Sequence, residues 1–328
     1  MPVSRAETEH SLLDDASIAA LHDLLLDWFA KAGRDLPWRH TRDPYRILVS
    51  EVMLQQIQVV RAVPFYEAFV GRFPRVESLA SAALADVIRV WGDLGRYRRI
   101  VYLHQTARIV VEQHGGVVPR DVATLRTLPG VGPYTAGAVA CFAYEIDVAF
   151  IDTNMKRVLH RALMGPEHPD HPVKESELLA LAERLLPPAR AWQWNSALMD
   201  LGATVCTSRR PNCLTCPLLT SCRSAEDFLA GRASPTAVRK TPPYRFEESN
   251  RFYRGRVLAT LRSLPTEDDT PNGIGLEELG RTIRDDFAEE HFGWLRSVVG
   301  GLAKDGLAAI SEESPAYDAE ATVRVSLP

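Results

Sequence analysis

Four of the five cysteines in this 328-residue chain, Cys206, Cys213, Cys216 and Cys222, fall within one stretch of 17 residues, separated by six, two and five residues. Four thiols on so short a segment oblige the chain to close around whatever joins them. Nothing in the sequence marks an oxidising compartment, where a disulfide framework would be the ordinary reading, so the cluster reads as a metal site. Zinc sites usually pair two Cys-x-x-Cys knuckles across a longer gap, whereas here one knuckle has a wider arm on each side. Thiolates in a compact loop suit an iron–sulfur cluster as well as zinc, and ligand chemistry leaves both open. Cys141 stands alone in the apolar run AVACFAYEI and reads as a small core side chain.

This loop closes a long helical region. Residues 17–32 put Ile18, Leu21, Leu24, Leu25 and Phe29 at helical spacing after a Ser/Asp-rich start. Pro37, Pro44, Pro64, Pro74, Pro119 and Pro129 punctuate the chain beyond residue 32 near plausible helix boundaries, and alternating strand-like runs are scarce before residue 250. Residues 1–225 therefore read as all-α. Residues 226–250, rich in Arg, Ser and Pro, read as a linker. Beyond it, three helical runs and two short alternating runs over 251–328 give the layout of a winged-helix-like α+β domain.

Charge narrows the partners. The chain carries a net charge of −4, which excludes a generic polybasic nucleic-acid binder but not a local basic groove. Its last 98 residues hold 13 Lys+Arg against 16 Asp+Glu, a net of −3, and so read as a packing or protein-contact module rather than a phosphate grip. With 46% hydrophobic and 24% charged residues the chain is neither disordered, collagenous nor coiled coil. No apolar run reaches membrane-span length, and the start MPVSRAETEH lacks signal-peptide order, so a cytoplasmic location is expected, nucleoid-associated in a prokaryote.

Three motifs carry chemistry. In Leu128-Pro129-Gly130-Val131-Gly132-Pro133-Tyr134-Thr135, two glycines between helical runs make a tight helix–hairpin–helix. A turn at a helix N-terminus can seat an anion, and DNA phosphate is a natural occupant; the plain alternative is an interhelical turn. In Ile151-Asp152-Thr153-Asn154-Met155-Lys156-Arg157, an Asp follows an apolar run and precedes a basic helix. It is either an N-cap or a carboxylate aimed at a substrate cation. In Ser50-Glu51-Val52-Met53-Leu54-Gln55-Gln56, Glu51 has apolar neighbours on nearly every side. Such a setting raises a carboxyl's pKa, as a general acid requires, against the plain reading of a solvated helix residue. Two carboxylates in different environments suit cleavage through an oxocarbenium-like transition state.

Taken in this order, the hairpin, the following Asp and the downstream four-cysteine loop resemble the endonuclease III superfamily of DNA glycosylases. Within it, Ser50-Glu51-Val52-Met53-Leu54-Gln55-Gln56 and Leu36-Pro37-Trp38-Arg39 are similar to the adenine glycosylases of the MutY type. The resemblance covers roughly residues 20–225. It implies a mainly α, two-lobed helix–hairpin–helix fold with a DNA groove between the lobes, and a 4Fe–4S cluster on Cys206, Cys213, Cys216 and Cys222. By the same resemblance Glu51 protonates the purine and Asp152 stabilises the sugar cation, with Tyr134 and Asn154 completing the polar site. Trp38 and Arg39 border the base pocket, Ser196 stands where the family holds adenine, Gln56 wedges into the duplex, and Gly130 and Gly132 meet phosphate. Tyr134 occupies the place where bifunctional relatives carry a Lys, which implies a monofunctional hydrolase, with Lys156 as the one amine nearby.

The departures bear on specificity. Ile57 stands where the family has a Thr, Arg96 where it has an aromatic wedge, Ser196 where it has an acidic or amide residue, and residues 231–328 show no Nudix-like domain. The expected function is thus a monofunctional DNA N-glycosylase of base excision repair acting as a monomer on mismatched or damaged double-stranded DNA, adenine being the leading base. The alternatives are a glycosylase for another base, such as thymine, uracil or a modified purine, or a non-catalytic iron–sulfur DNA-binding protein.

Overall fold

Capping residues set the first helix. Asp14 accepts the Ser17 N–H at 2.8 Å to open α1 (Asp15–Ala32), and Gly33 closes it. α1 buries Leu21, Leu25 and Leu26, with Ile18 and Phe29 packed against the same core, so the expected stripe holds except at Leu24, which stays 40% exposed while Leu26 is buried. The structure, a computed structural model, describes residues 13–166, 173–233, 245–265, 273–313 and 322–328. Its helices continue with α2 (Pro44–Leu54), α3 (Val59–Arg72), α4 (Val76–Ala80), α5 (Leu84–Trp91), α6 (Arg98–His114), α7 (Val122–Leu125) and α8 (Pro133–Tyr144). Then come α9 (Thr153–Leu159), a π-helical turn over His160–Met164, α10 (Glu175–Arg184), α11 (Ala191–Thr204) and α12 (Ala225–Leu229). None of the helices among the described residues is long and apolar enough to cross a membrane. Pro64 lies inside α3 rather than at its edge. There it faces solvent, as does Val60 one turn earlier, so the carbonyl it leaves unpaired stays solvated.

The chain forms two compact units. The first comprises Met1–Leu48, Arg120–Thr127 and Val131–Arg239. Its core joins α1, α9 and α11: Leu25, Met155, Trp194 and Leu198 are buried together, and the His22 ring meets Trp194 edge-on at 4.9 Å. Cys141 is fully buried in this core, as its apolar surroundings require.

The second unit comprises Val49–Pro119, Leu128–Gly130 and Lys240–Pro328. Phe69, Phe73 and Trp91 fill its helical part, with Phe69 edge-on to Trp91 at 6.1 Å. Its C-terminal part runs α13 (Asn250–Ser263), β1 (Ile274–Gly275), α14 (Leu276–Ile283), α15 (Phe292–Lys304), β2 (Ala309–Glu313) and β3 (Thr322–Ser326). The three strands form an antiparallel sheet in the order β1-β3-β2, with Ile274 and Ile310 both opposite Val325. Three helices, this strand order and the β2–β3 ribbon make a winged helix. The two-residue strand β1 is too short to leave an alternating pattern in the sequence. Of the stretch expected as a linker, residues 234–244 lie outside the described residues, and α12 occupies its start.

Candidate active site

In the first unit Asp152 is the N-cap of α9. Its Oδ1 accepts the Met155 N–H at 2.7 Å and its Oδ2 accepts Asn154 Nδ2 at 3.0 Å. The capping and chemical readings of this residue therefore coexist, because one oxygen fixes the helix start and the other is held by a second residue of the site. Burial pushes the Asp152 carboxyl above its ordinary value of 3.8, against the pull of the Met155 and Asn154 hydrogen bonds. Asn154 is fixed in turn: Arg157 Nη2 donates to Asn154 Oδ1 at 2.8 Å and to the Gly202 carbonyl at 2.6 Å, and Arg157 Nε donates to the Cys206 carbonyl at 2.7 Å. A Cβ on Gly202 would stand 2.7 Å from that of Asn154, so only glycine lets α11 approach so closely. Arg157 and Gly202 are supporting residues that the sequence did not mark.

Tyr134 sits in the first turn of α8, edge-on to Phe150 at 5.5 Å. Lys156 is paired with Glu175, Nζ to Oε2 at 2.5 Å. Trp38 is buried in the single turn Pro37–Arg39. Arg39 does not stand open towards a ligand: its Nη1 and Nη2 hold the two oxygens of the buried Asp200 at 2.8 Å each, beside Arg34. Ser196 is buried on the same helix as Asp200.

The second unit carries Glu51 and the wedge positions. Glu51 is 3% exposed on α2, whose last carbonyls belong to Arg99: its Nη1 donates to Val52, Met53 and Gln55 at 2.7, 3.0 and 2.8 Å. The same guanidinium reaches the carbonyls of Gly95 and Arg96, at 3.3 and 3.4 Å. One buried cation thus ties the end of the Glu51 helix to the loop bearing Arg96. Burial and the Arg96 charge bring Arg99 down to about 10, which leaves it cationic at neutral pH. Gln56 and Arg96 have left-handed backbones, φ +61° and +50°, a conformation that costs a side-chain-bearing residue about 1–2 kcal/mol. Strain of this kind gathers where a chain presents a residue to a ligand.

In the hairpin, Gly130 has φ +74°, and a Cβ there would lie 2.9 Å from that of Tyr102, whereas Gly132 has an extended backbone and open space around it. The two glycines therefore make opposite predictions. Gly130→Ala is expected to lower unfolding free energy by about 1–2 kcal/mol in urea melts. Gly132→Ala is expected to leave stability unchanged and to weaken duplex affinity, because it puts a methyl where phosphate would approach. Equal affinity for Gly132→Ala and wild type would remove the hairpin from the DNA contact.

Cys206, Cys213, Cys216 and Cys222 line one cavity together with Arg161. Burial pushes the Cys216 thiol up to about 11, with Cys213 and Cys222 also raised, so without a cation these thiols stay protonated. Arg161 is 2% exposed and its Nε meets no partner among the described residues. Its Nη1 lies 3.8 Å from Cys206 Sγ, and its carbonyl accepts the Ser224 hydroxyl at 2.7 Å. Arg209 and Arg210 are exposed on the same loop.

The sequence profile of the HhH-GPD superfamily base excision DNA repair proteins matches residues 49–184. An adenine DNA glycosylase of Mycolicibacterium smegmatis is 44% identical over 243 residues, 74% of this chain and 80% of that protein. The chain belongs to the HhH-GPD superfamily. An adenine DNA glycosylase of Mycobacterium tuberculosis is 43% identical over 247 residues, covering 73% and 77% of the two chains. The human adenine DNA glycosylase is 41% identical over 226 residues, 66% of this chain but only 41% of the human protein. Among solved structures, a thermostable thymine-DNA glycosylase superposes with a TM-score of 0.59 at 31% identity, over 64% of this chain and 97% of that one. An endonuclease III–DNA complex gives 0.58 at 22% identity, over 67% and 100%, and shares the HhH-GPD fold.

Proposed function

We propose that this HhH-GPD protein is a monofunctional DNA N-glycosylase that removes adenine from mismatched or damaged duplex DNA. The observation that carries the reading is Asp152, a half-buried carboxylate fixed at both oxygens at a helix start in the middle of the family's motif. The base must leave the stack before its glycosidic bond can be reached. Glu51 gives its proton to the purine ring, so that the base departs neutral as the C1′–N9 bond breaks. Asp152 stands against the positive charge that develops on the sugar. Water then adds its oxygen to C1′ and loses its proton, and an abasic site remains. Tyr134 lacks the amine that would form a Schiff base and cut the strand.

Adenine is favoured because the Mycolicibacterium smegmatis and human adenine glycosylases match at 44% and 41% identity, against 31% for the thymine-DNA glycosylase. The test is single-turnover base release from duplexes carrying adenine opposite 8-oxoguanine, guanine or thymine, and thymine opposite guanine. Release of thymine alone would make this a thymine glycosylase. Release of no base would leave an iron–sulfur DNA-binding protein. With Ile57 and Arg96 at the two departing positions, rates on adenine opposite 8-oxoguanine and guanine are expected to differ by much less than a hundredfold, the roughly 2.7 kcal/mol of one good base contact.

The cysteine loop is read as the seat of a 4Fe–4S cluster. Four thiols line one cavity, the donor set that such a cluster takes. The unpartnered Nε of buried Arg161 suits an anionic group. The cluster would brace this loop, and through the Cys206 carbonyl the loop holds Arg157 and thereby Asn154. Anaerobically purified protein is expected to contain iron and acid-labile sulfide in about equal amounts. Stoichiometric zinc without iron would overturn the assignment.

A further inference from the structure

Within the second unit lies an open cleft of about 1040 Å³, walled by the Gln55–Ile57 and Asp93–Arg99 stretches and by α13 of the winged helix. Seven arginines line it, three of them (Arg251, Arg254 and Arg256) from α13, and Asp93 is the one acid among its lining residues. That acid is already engaged by Arg262 of α13. Asp305, at the end of α15, is shared by Arg254 at 2.5 Å and Arg98 at 3.5 Å. These pairs fasten α13 to the loop that carries Arg96 without cancelling the charge of the cleft. Arg96 and Arg251 are exposed and make no ion pair among the described residues.

A net charge of −3 over the last 98 residues hides this arrangement. α13 carries Arg251, Arg254, Arg256 and Arg262 and no acidic residue, while of the sixteen acids in the last 98 residues two, Glu247 and Glu248, precede it and fourteen follow it. So many like charges around one cleft repel each other in the unbound protein, and a polyanion relieves that repulsion. Two of the four non-glycine residues with left-handed backbones among the described residues, Gln56 and Arg96, line the same cleft.

We propose that α13 is a DNA-gripping helix, with Arg251 holding a backbone phosphate of the substrate duplex in this cleft beside Gln56 and Arg96. The winged helix then works as part of the DNA-binding surface rather than as a protein-contact module. Its contribution is to affinity and is independent of base sequence. The proposal rests on the chain acting on DNA.

The test uses the full chain and a duplex carrying a non-hydrolysable deoxyadenosine analogue, with affinity measured between 50 and 200 mM salt. Losing one phosphate contact on B-form DNA makes the slope of log affinity against log salt shallower by about 0.9. Wild type should therefore lose about 3.5-fold more affinity than Arg251→Ala across that range. Arg251→Lys is expected to restore the slope, since a point charge suffices for a phosphate. Arg281→Ala, on α14 and paired to Glu277 away from the cleft, is expected to match wild type. Identical slopes for Arg251→Ala and wild type overturn the proposal. The same preparation's release of adenine then shows that the glycosylase reading still stands. An altered slope with no base released keeps the grip and removes the enzyme.

Discussion

The Glu51→Gln variant is expected to bind substrate duplex as wild type does and to release base about 10²–10⁴ times more slowly in single-turnover assays. That is the usual cost of removing a positioned acid. Glutamine keeps the shape of a side chain that is 3% exposed, and Arg99 continues to hold the helix end, so the loss reports the proton and not the fold. Asp152→Asn is expected to be comparably inactive, because an amide offers no negative charge to the developing sugar cation. The two variants differ in stability. The folded pKa of Asp152 lies above its ordinary 3.8, so the folded state binds this proton more tightly than the unfolded chain does. Stability contributed by this group is therefore present at low pH and lost as pH rises through the raised value. Asparagine caps helices well and carries no charge to bury, so Asp152→Asn should melt no lower than wild type at neutral pH. In wild type, base release should fall as pH drops through that same raised value. Half the wild-type rate in either variant would remove that residue from the chemistry.

Asp152 was legible because two sequence signals fell on it: cap position and family motif. The hairpin was legible for a related reason, since a left-handed backbone at Gly130 leaves a glycine in the sequence. Arg99 left no such trace. It serves backbone carbonyls 44 to 47 residues away, and carbonyls have no sequence identity. The motif places Arg39 beside the base pocket but says nothing of its partner Asp200, which lies 161 residues further on and which no local pattern pairs with it. Helical and alternating periods point to the winged helix, but a summed charge alone says little about its role. Summation discards position, and position is what a helix with four arginines and no acid provides.

Replacing Asp200 is expected to cost the first unit much of its stability. Its side chain is fully buried, and it holds Arg34 Nε and Nη2 at 2.7 and 2.6 Å and both Nη groups of Arg39 at 2.8 Å. The Arg34 backbone N–H donates to it as well, at 2.8 Å, so one carboxylate fixes the chain from Arg34 through the Pro37–Arg39 turn that carries Trp38. Burial pushes the Asp200 carboxyl up, but Arg39 and Arg34 more than offset this and leave it below the ordinary 3.8. Its contribution to stability is thus fully present above 3.8 and is lost as pH falls through the depressed value. Asp200→Ala leaves two guanidinium groups facing each other without their anion. Losing one partner of a buried ion pair costs about 3–5 kcal/mol. The two arginines keep some access to water, at 26% and 13% exposure, which places the expected cost near about 3 kcal/mol in urea unfolding. Arg39→Met in the Asp200→Ala background should recover part of that loss by removing one stranded charge. A single-variant cost below about 1 kcal/mol would mean that the pair is worth no more than a surface salt bridge, and that Trp38 is held in place by packing alone.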